Sequence, residues 1–364
     1  MALKQTTTIS ATTGREDQLQ FLRFLAFFFV YLDHVEPWVF FKFPVSHCGI
    51  SAVSFFFILS GFATGYSYYG REIRTGAKDI GKYIWKKLYK LYPLYFCTTI
   101  FTVMLGNLPE MIAMQDFAGI KDHLAQLMRS LLLIQSWFRE GYLQFNGVGW
   151  FLSSSMFLYV LTLPAMLVLN KMAKSNKWYL LLPMLFGGML FGTAAYCYLT
   201  KQFDMGYWHF IFPPARMGEY FGGMALGMLL RMVKPYIKTG NLSRILFTVL
   251  EIAVLLYWVK SLSSPGNYWR NHTVSWLIPN MAVLAVYTVG AGWISDLFRL
   301  KPLKRLGDIS FECYLIHQII INLYRANNAV PADSQPAKIT AFTFCFAVSI
   351  LFALLLNKQG KSSR

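Results

Sequence analysis

Arg23 and His34 stand eleven residues apart in a stretch that is otherwise almost wholly apolar, QFLRFLAFFFVYLDHV. On an α-helix that separation places them about 16 Å apart along the axis and about 20° apart around it. One helix face then carries a cation near one end and an imidazole deep toward the other. Each ionisable group costs roughly 2.5–3.5 kcal/mol to insert into an apolar span, which makes such groups the usual carriers of function. A long anionic ligand suits the pattern, with phosphates at the arginine and a reactive end at the histidine. Histidine is the natural group to take a proton from a hydroxyl at neutral pH. The spacing alone also allows less: Arg23 snorkelling to the interface and His34 capping the far end. Asp33 points about 100° away from His34, toward a neighbouring helix.

Other polar groups lie in apolar surroundings. Arg216 and Glu219 are three residues apart, on one helix face, where they can pair with each other or meet a ligand. Asp308, Glu312 and His317 form a second group. His47, His123, His209 and His272 fall at span ends or in loops and receive no role. Cys48, Cys97, Cys197, Cys313 and Cys345 are scattered, and no C-x-x-C or H-E-x-x-H spacing offers a metal site.

These residues need a scaffold, and the composition says which. The chain has 364 residues, 55% of them hydrophobic and 14% charged, with a mean hydropathy of +0.42. Soluble domains carry roughly 25% charged residues, so a soluble reading fails. The formal charge of +17 lies between apolar spans, as membrane topology requires, and nucleic acid is not the expected partner. Spans of roughly 20 apolar residues are expected near 20–41, 50–69, 91–107, 149–169, 178–199, 209–230, 243–262, 273–295, 309–327 and 338–357. The segment 124–138, interrupted by Arg129, reads as a re-entrant or interfacial helix. Basic residues crowd 70–90, 171–177, 231–244, 299–305 and 358–364, which places those segments and both termini in the cytoplasm. The expectation is an all-α integral membrane protein of about ten transmembrane helices in one bundle. Its divisions are a polar tail (1–18, with no signal-peptide pattern), a transmembrane domain (19–357) and a basic tail (358–364).

Five further patterns occur in order along the chain. Arg23 and His34 read R-x10-H. Gly49 to Phe62 reads GISAVSFFFILSGF, with Ser60 near its end. Lys87, Lys90 and Pro93 read K-x-x-K-x-x-P, Arg216 and Glu219 fall in RMGEYFGG, and Leu306 to His317 reads LGDISFECYLIH, including Tyr314. In this order the chain resembles the acyltransferase-3 family of bacterial membrane O-acyltransferases along essentially its whole length. Two departures stand out. Ser155 occupies the place of the family's glutamate in W-x-L-x-x-E-x-x-F-Y, and lysines replace arginines at 87 and 90. Lysine neutralises phosphate but cannot form the bidentate fork.

The resemblance implies a multi-pass enzyme of the bacterial inner membrane that moves an acyl group, most often acetyl, from acyl-CoA to a hydroxyl of a carbohydrate or lipid-linked glycan. It implies Lys87, Lys90 and Arg23 for the donor phosphates, His34 with Arg23 for catalysis, and Ser60, Arg216, Glu219, Tyr314 and His317 for the substrate cavity. Acetyl-CoA is the expected co-substrate, without a metal. Membrane lipid and an envelope-polysaccharide assembly pathway are the expected surroundings. The rival class is a transporter or flippase for a glycan or lipid-linked precursor, in which the same polar groups line a path.

Overall fold

The computed structural model describes residues 16–39, 48–107, 117–175, 207–237, 240–262, 276–328, 330 and 334–362. Among them there is no strand. The span expected at 178–199 lies outside the described residues.

Helix α1 (Gln18–Val39) is the internal axis. Leu22, Ala26, Phe27, Val30, Tyr31 and Val35 are 0 or 1% exposed, because the helix is flanked by α2 (Cys48–Tyr68) and by five elements from the C-terminal half. Its polar residues therefore lie within protein rather than lipid, the setting in which an ionisable span is tolerated.

Among the described residues, five stretches are long and apolar enough to cross a membrane: 48–68, 77–106, 147–174, 241–262 and 335–357. They make this a multi-pass membrane protein. They include α2, α3 (Ala77–Thr102), α5 (Trp150–Lys174), α7 (Asn241–Leu262) and most of α12 (Gln335–Ser362). Helices α3, α7 and α12 turn large apolar side chains outward, among them Phe101, Leu246, Val249, Leu351 and Phe352, as lipid-facing helices must.

Several elements depart from the expected boundaries. Helix α3 begins at Ala77, well before residue 91, so Lys78, Lys82, Lys86, Lys87 and Lys90 ride on its first turns instead of occupying a loop. No proline or glycine pair interrupts the segment, and Asp79 favours the helix N-terminus. The span expected at 209–230 is broken: Pro213–Arg216 is a 3-10 turn, and α6 runs from Met217 to Val233. The two prolines lack the N–H groups of a continuous helix. Helix α8 (Ile278–Val289) stops at Gly290, whose φ of 64° ends it in a left-handed cap. Segment 117–131 forms α4, an amphipathic helix of 15 residues, too short to span. Its Leu124 and Met128 are exposed. Two short helices, α9 (Trp293–Phe298) and α10 (Lys301–Asp308), lead into α11 (Ser310–Asn327).

The closest helix contact is α2 against α6, where Gly61, Gly65, Gly223 and Gly227 let the backbones touch. Glu251, fully buried on α7, accepts N–H bonds from Gly292, Ile294 and Ser295 at 3.0, 3.1 and 3.1 Å. That carboxylate pins a lipid-facing helix to the first turn of α9 (Trp293–Phe298).

Candidate active site

Helix α1 crosses α11 so that two histidines 283 positions apart in sequence meet, His34 Nδ1 lying 2.7 Å from His317 Nε2. Their rings are near-parallel, with centroids 5.0 Å apart. With both imidazoles neutral, their hydrogen-bond partners assign both tautomers. His317 Nδ1 faces only carbonyl oxygens, Tyr314 O at 2.8 Å and Cys313 O at 3.2 Å, so it carries the proton. Its Nε2 is then an acceptor, and His34 Nδ1 must donate to it. The lone pair of His34 Nε2 is left for chemistry. His317 is fully buried, whereas His34 keeps part of its surface open among the described residues. A buried group that orients a half-open imidazole through its Nδ1–H is the logic of a catalytic triad's third member.

Below the dyad, toward the Arg23 end of α1, lies a cavity of about 380 Å³. Arg23, Ser60, Lys87, Ser155, Tyr159 and Tyr314 are on its wall. Arg23 Nη1 donates to Gln20 at 2.9 Å. Lys87 Nζ stands 5.1 Å from the Tyr159 ring centroid and 5.4 Å from that of Tyr83, a cation held over two aromatic faces. Glu16 also lines the cavity. Burial pushes its carboxyl up, but hydrogen bonds from Lys234 and Tyr66 outweigh burial and hold it below the usual carboxylate range. The inner end is aromatic. Tyr314 donates to Val148 O at 3.2 Å and packs against Phe56 and Phe151. Its ring centroid is 6.0 Å from that of His317, so Tyr314 is the layer between cavity and dyad.

Two comparisons with known proteins fit this arrangement. The model of an acyltransferase domain family, acyltransferase-3, matches residues 16–358. The chain belongs to the acyltransferase-3 family. It is also similar to acyltransferase MdmB of Streptomyces mycarofaciens, 25% identical over 330 residues, covering 82% of this chain and 77% of the relative. No solved structure matches it.

In this acyltransferase the expected residues divide. Arg23, Ser60, Lys87 and Tyr314 share the cavity, and His34 with His317 forms the dyad beyond it. Lys90 is exposed on α3 and outside the cavity wall. Asp33 lies against Gly49 in the first turn of α2, where a carboxylate complements the helix dipole. Arg216 and Glu219 are also outside the wall. They pair at 2.8 Å with 1% exposure each, and the guanidinium is ringed by Phe57, Trp150 and Phe210. Removing one partner of a buried pair costs about 3–5 kcal/mol, whereas replacing both by apolar residues is often neutral. Arg216→Met is therefore expected to lower the thermal midpoint of the purified protein sharply. Arg216→Met with Glu219→Leu is expected to recover most of it, together with transfer activity. A double variant that is stable but inactive would instead place the pair in substrate binding.

Sequence reasoning did not single out Glu16 or Tyr159 and gave Ser155 no place in the cavity. No motif marks Glu16, and Tyr159 appeared only as the last residue of the family's W-x-L-x-x-E-x-x-F-Y pattern. Ser155 was visible only as a departure from the family pattern.

Proposed function

We propose that this membrane acyltransferase is an O-acyltransferase, with acetyl as the group transferred, acyl-CoA as donor, and a hydroxyl of a cell-envelope or exported glycan as acceptor. The observation that carries this reading is the His34–His317 dyad. It presents a basic nitrogen on the same helix as Arg23, which reaches the cationic cavity. The donor's thioester arm lies in the cavity with its diphosphate near Lys87 and Arg23, and its acyl end passes Tyr314 toward His34. His34 Nε2 takes the proton of the acceptor hydroxyl as the oxygen attacks the thioester carbonyl carbon. The C–S bond then breaks, the thiolate leaves, and the imidazolium returns the proton to give free CoA and the ester. An acyl-histidine route would begin from the same lone pair. The charge pattern supports ten spans in the bacterial inner membrane with both termini and the cavity mouth in the cytoplasm, so the acceptor meets His34 from the opposite side. Partners in an envelope-polysaccharide assembly pathway would supply it.

The test is acyl transfer by purified protein in nanodiscs, supplied with radiolabelled acetyl-CoA and a panel of envelope glycans, wild type beside His34→Ala. Label in a glycan ester only with His34 present is the expected result. Equal transfer by both proteins would remove His34 from the mechanism. No transfer together with no acetyl-CoA binding would leave the transport reading.

A further inference from the structure

Beside the main cavity, on its basic side, lies a second groove of about 340 Å³. It is open, five of its nine lining residues are charged, and nothing in the mechanism above uses it. Arg74, Lys82 and Lys86 line it together with the rings of Tyr68 and Tyr83. Its two acids, Glu72 and Asp79, leave the three cations a net positive lining. Glu72 meets Arg74 only at 3.9 Å, with both side chains more than three-quarters exposed. Asp79 lies in the first turn of α3, where the helix dipole engages it.

The groove is framed, not merely charged. Asn170 of α5 is 6% exposed. Its side chain accepts from Gly70 N at 3.3 Å and donates to Tyr68 O and Arg71 O at 3.3 and 3.2 Å. These three bonds fix the turn that carries the Tyr68 wall against α5. The opposite wall is the first half of α3. Tyr83 is the partition: it lines the groove, and Lys87 of the main cavity stands over its ring. Lys86 in the groove and Lys87 in the cavity thus put one cation in each compartment, with the Tyr83 ring between them.

The size of the main cavity favours a second compartment for the donor proposed above. A cavity of about 380 Å³ is near the lower end of the roughly 300–1,000 Å³ of drug-sized sites. It has room for an acylated pantetheine arm but not also for a nucleotide. We propose that the groove of Arg74, Lys82 and Lys86 is a nucleotide-phosphate subsite, which holds the phosphorylated adenosine end of acyl-CoA while the arm enters past Lys87. This inference rests on the acyl-CoA reading. A phosphate on an anionic lipid headgroup shares the chemistry, so the test separates the two.

The test uses the full chain in phosphatidylcholine nanodiscs, with and without phosphatidylglycerol, and measures binding of acetyl-CoA, acetyl-dephospho-CoA and S-acetyl-4′-phosphopantetheine to wild type and to Lys82→Gln/Lys86→Gln. Both lysines are exposed, so the variant keeps its fold. The expected result is acetyl-CoA binding weakened at least tenfold, with S-acetyl-4′-phosphopantetheine unchanged, so that the variant discriminates poorly among the three. Equal weakening of all three donors, or none, would overturn the subsite. An effect confined to nanodiscs containing phosphatidylglycerol would reassign the groove to lipid headgroups. A wild-type protein that binds none of the donors would overturn the acyl-CoA reading itself, and the subsite with it.

Discussion

His34→Ala is expected to lower kcat for acyl transfer by about three orders of magnitude, within the 10²–10⁴ range for a positioned general base. Donor affinity should hold, because His34 is not on the wall of the cavity that would take the donor. His317 separates a positioning role from a merely structural one. Its Nε2 accepts the His34 Nδ1–H, and by analogy with the partners that orient metal-bound histidines its loss should cost roughly 10–100-fold. His317→Ala is expected to fall in that range. His317→Gln should recover part of the loss, since its amide oxygen can accept the same proton and hold the same tautomer. Steady-state kinetics with a fixed acceptor would read both effects as changes in kcat with KM for donor preserved. If His317→Gln and His317→Ala were equally impaired while both stayed folded, orientation through that bond would not be what His317 supplies.

Why one histidine was legible from spacing and the other was not follows from geometry. Arg23 and His34 belong to one helix, and 3.6 residues per turn suffices to put them on one face. The partner of His34 is 283 positions away, and only the crossing of α1 on α11 joins them. Nothing periodic in the sequence encodes that crossing: His317 stood out as a polar group in an apolar stretch and as part of a family motif, but neither sign paired it with His34. The start of α3 was misplaced for a related reason. An apolar window finds the lipid-facing half of the helix and discards the lysine-rich half, although both belong to one 26-residue element. Lys87 reaches the cavity because that first half is helical: Tyr83, Lys87 and Leu91 recur every four residues on the inner side, while Lys90 falls outside the cavity wall. The broken span near 213 was written in its two prolines, whose cost to a continuous helix outweighed the apolar run around them.

Gly65→Leu is expected to abolish recovery of folded protein altogether. Helices α2 and α6 meet through two glycine pairs of matching spacing, Gly61 with Gly65 and Gly223 with Gly227. A Cβ on Gly65 would overlap the carbonyl of Met224, and one on Gly61 the carbonyl of Tyr220. From the other side, Gly223 faces the Ile58 carbonyl and Gly227 that of Phe62. Each obstacle is backbone inside a helix, which cannot turn aside as a flexible side chain can. Ordinary overpacking costs about 1–3 kcal/mol because side chains and backbone shift to relieve it. Here relief requires the two helices to separate, which would move Ser60 on the cavity wall as well. Gly65→Ala is expected to lower the thermal midpoint and Gly65→Leu to leave no monodisperse peak in detergent. The contrast is Gly81 on α3, where an added Cβ meets nothing within 4 Å. Gly81→Ala removes helix-interior glycine without a clash and should stabilise the protein by roughly 0.5–1 kcal/mol. If Gly65→Leu instead gave a protein as stable as Gly81→Ala, the close approach of α2 to α6 would not hold in the membrane, and the cavity built against α2 would have to be redrawn.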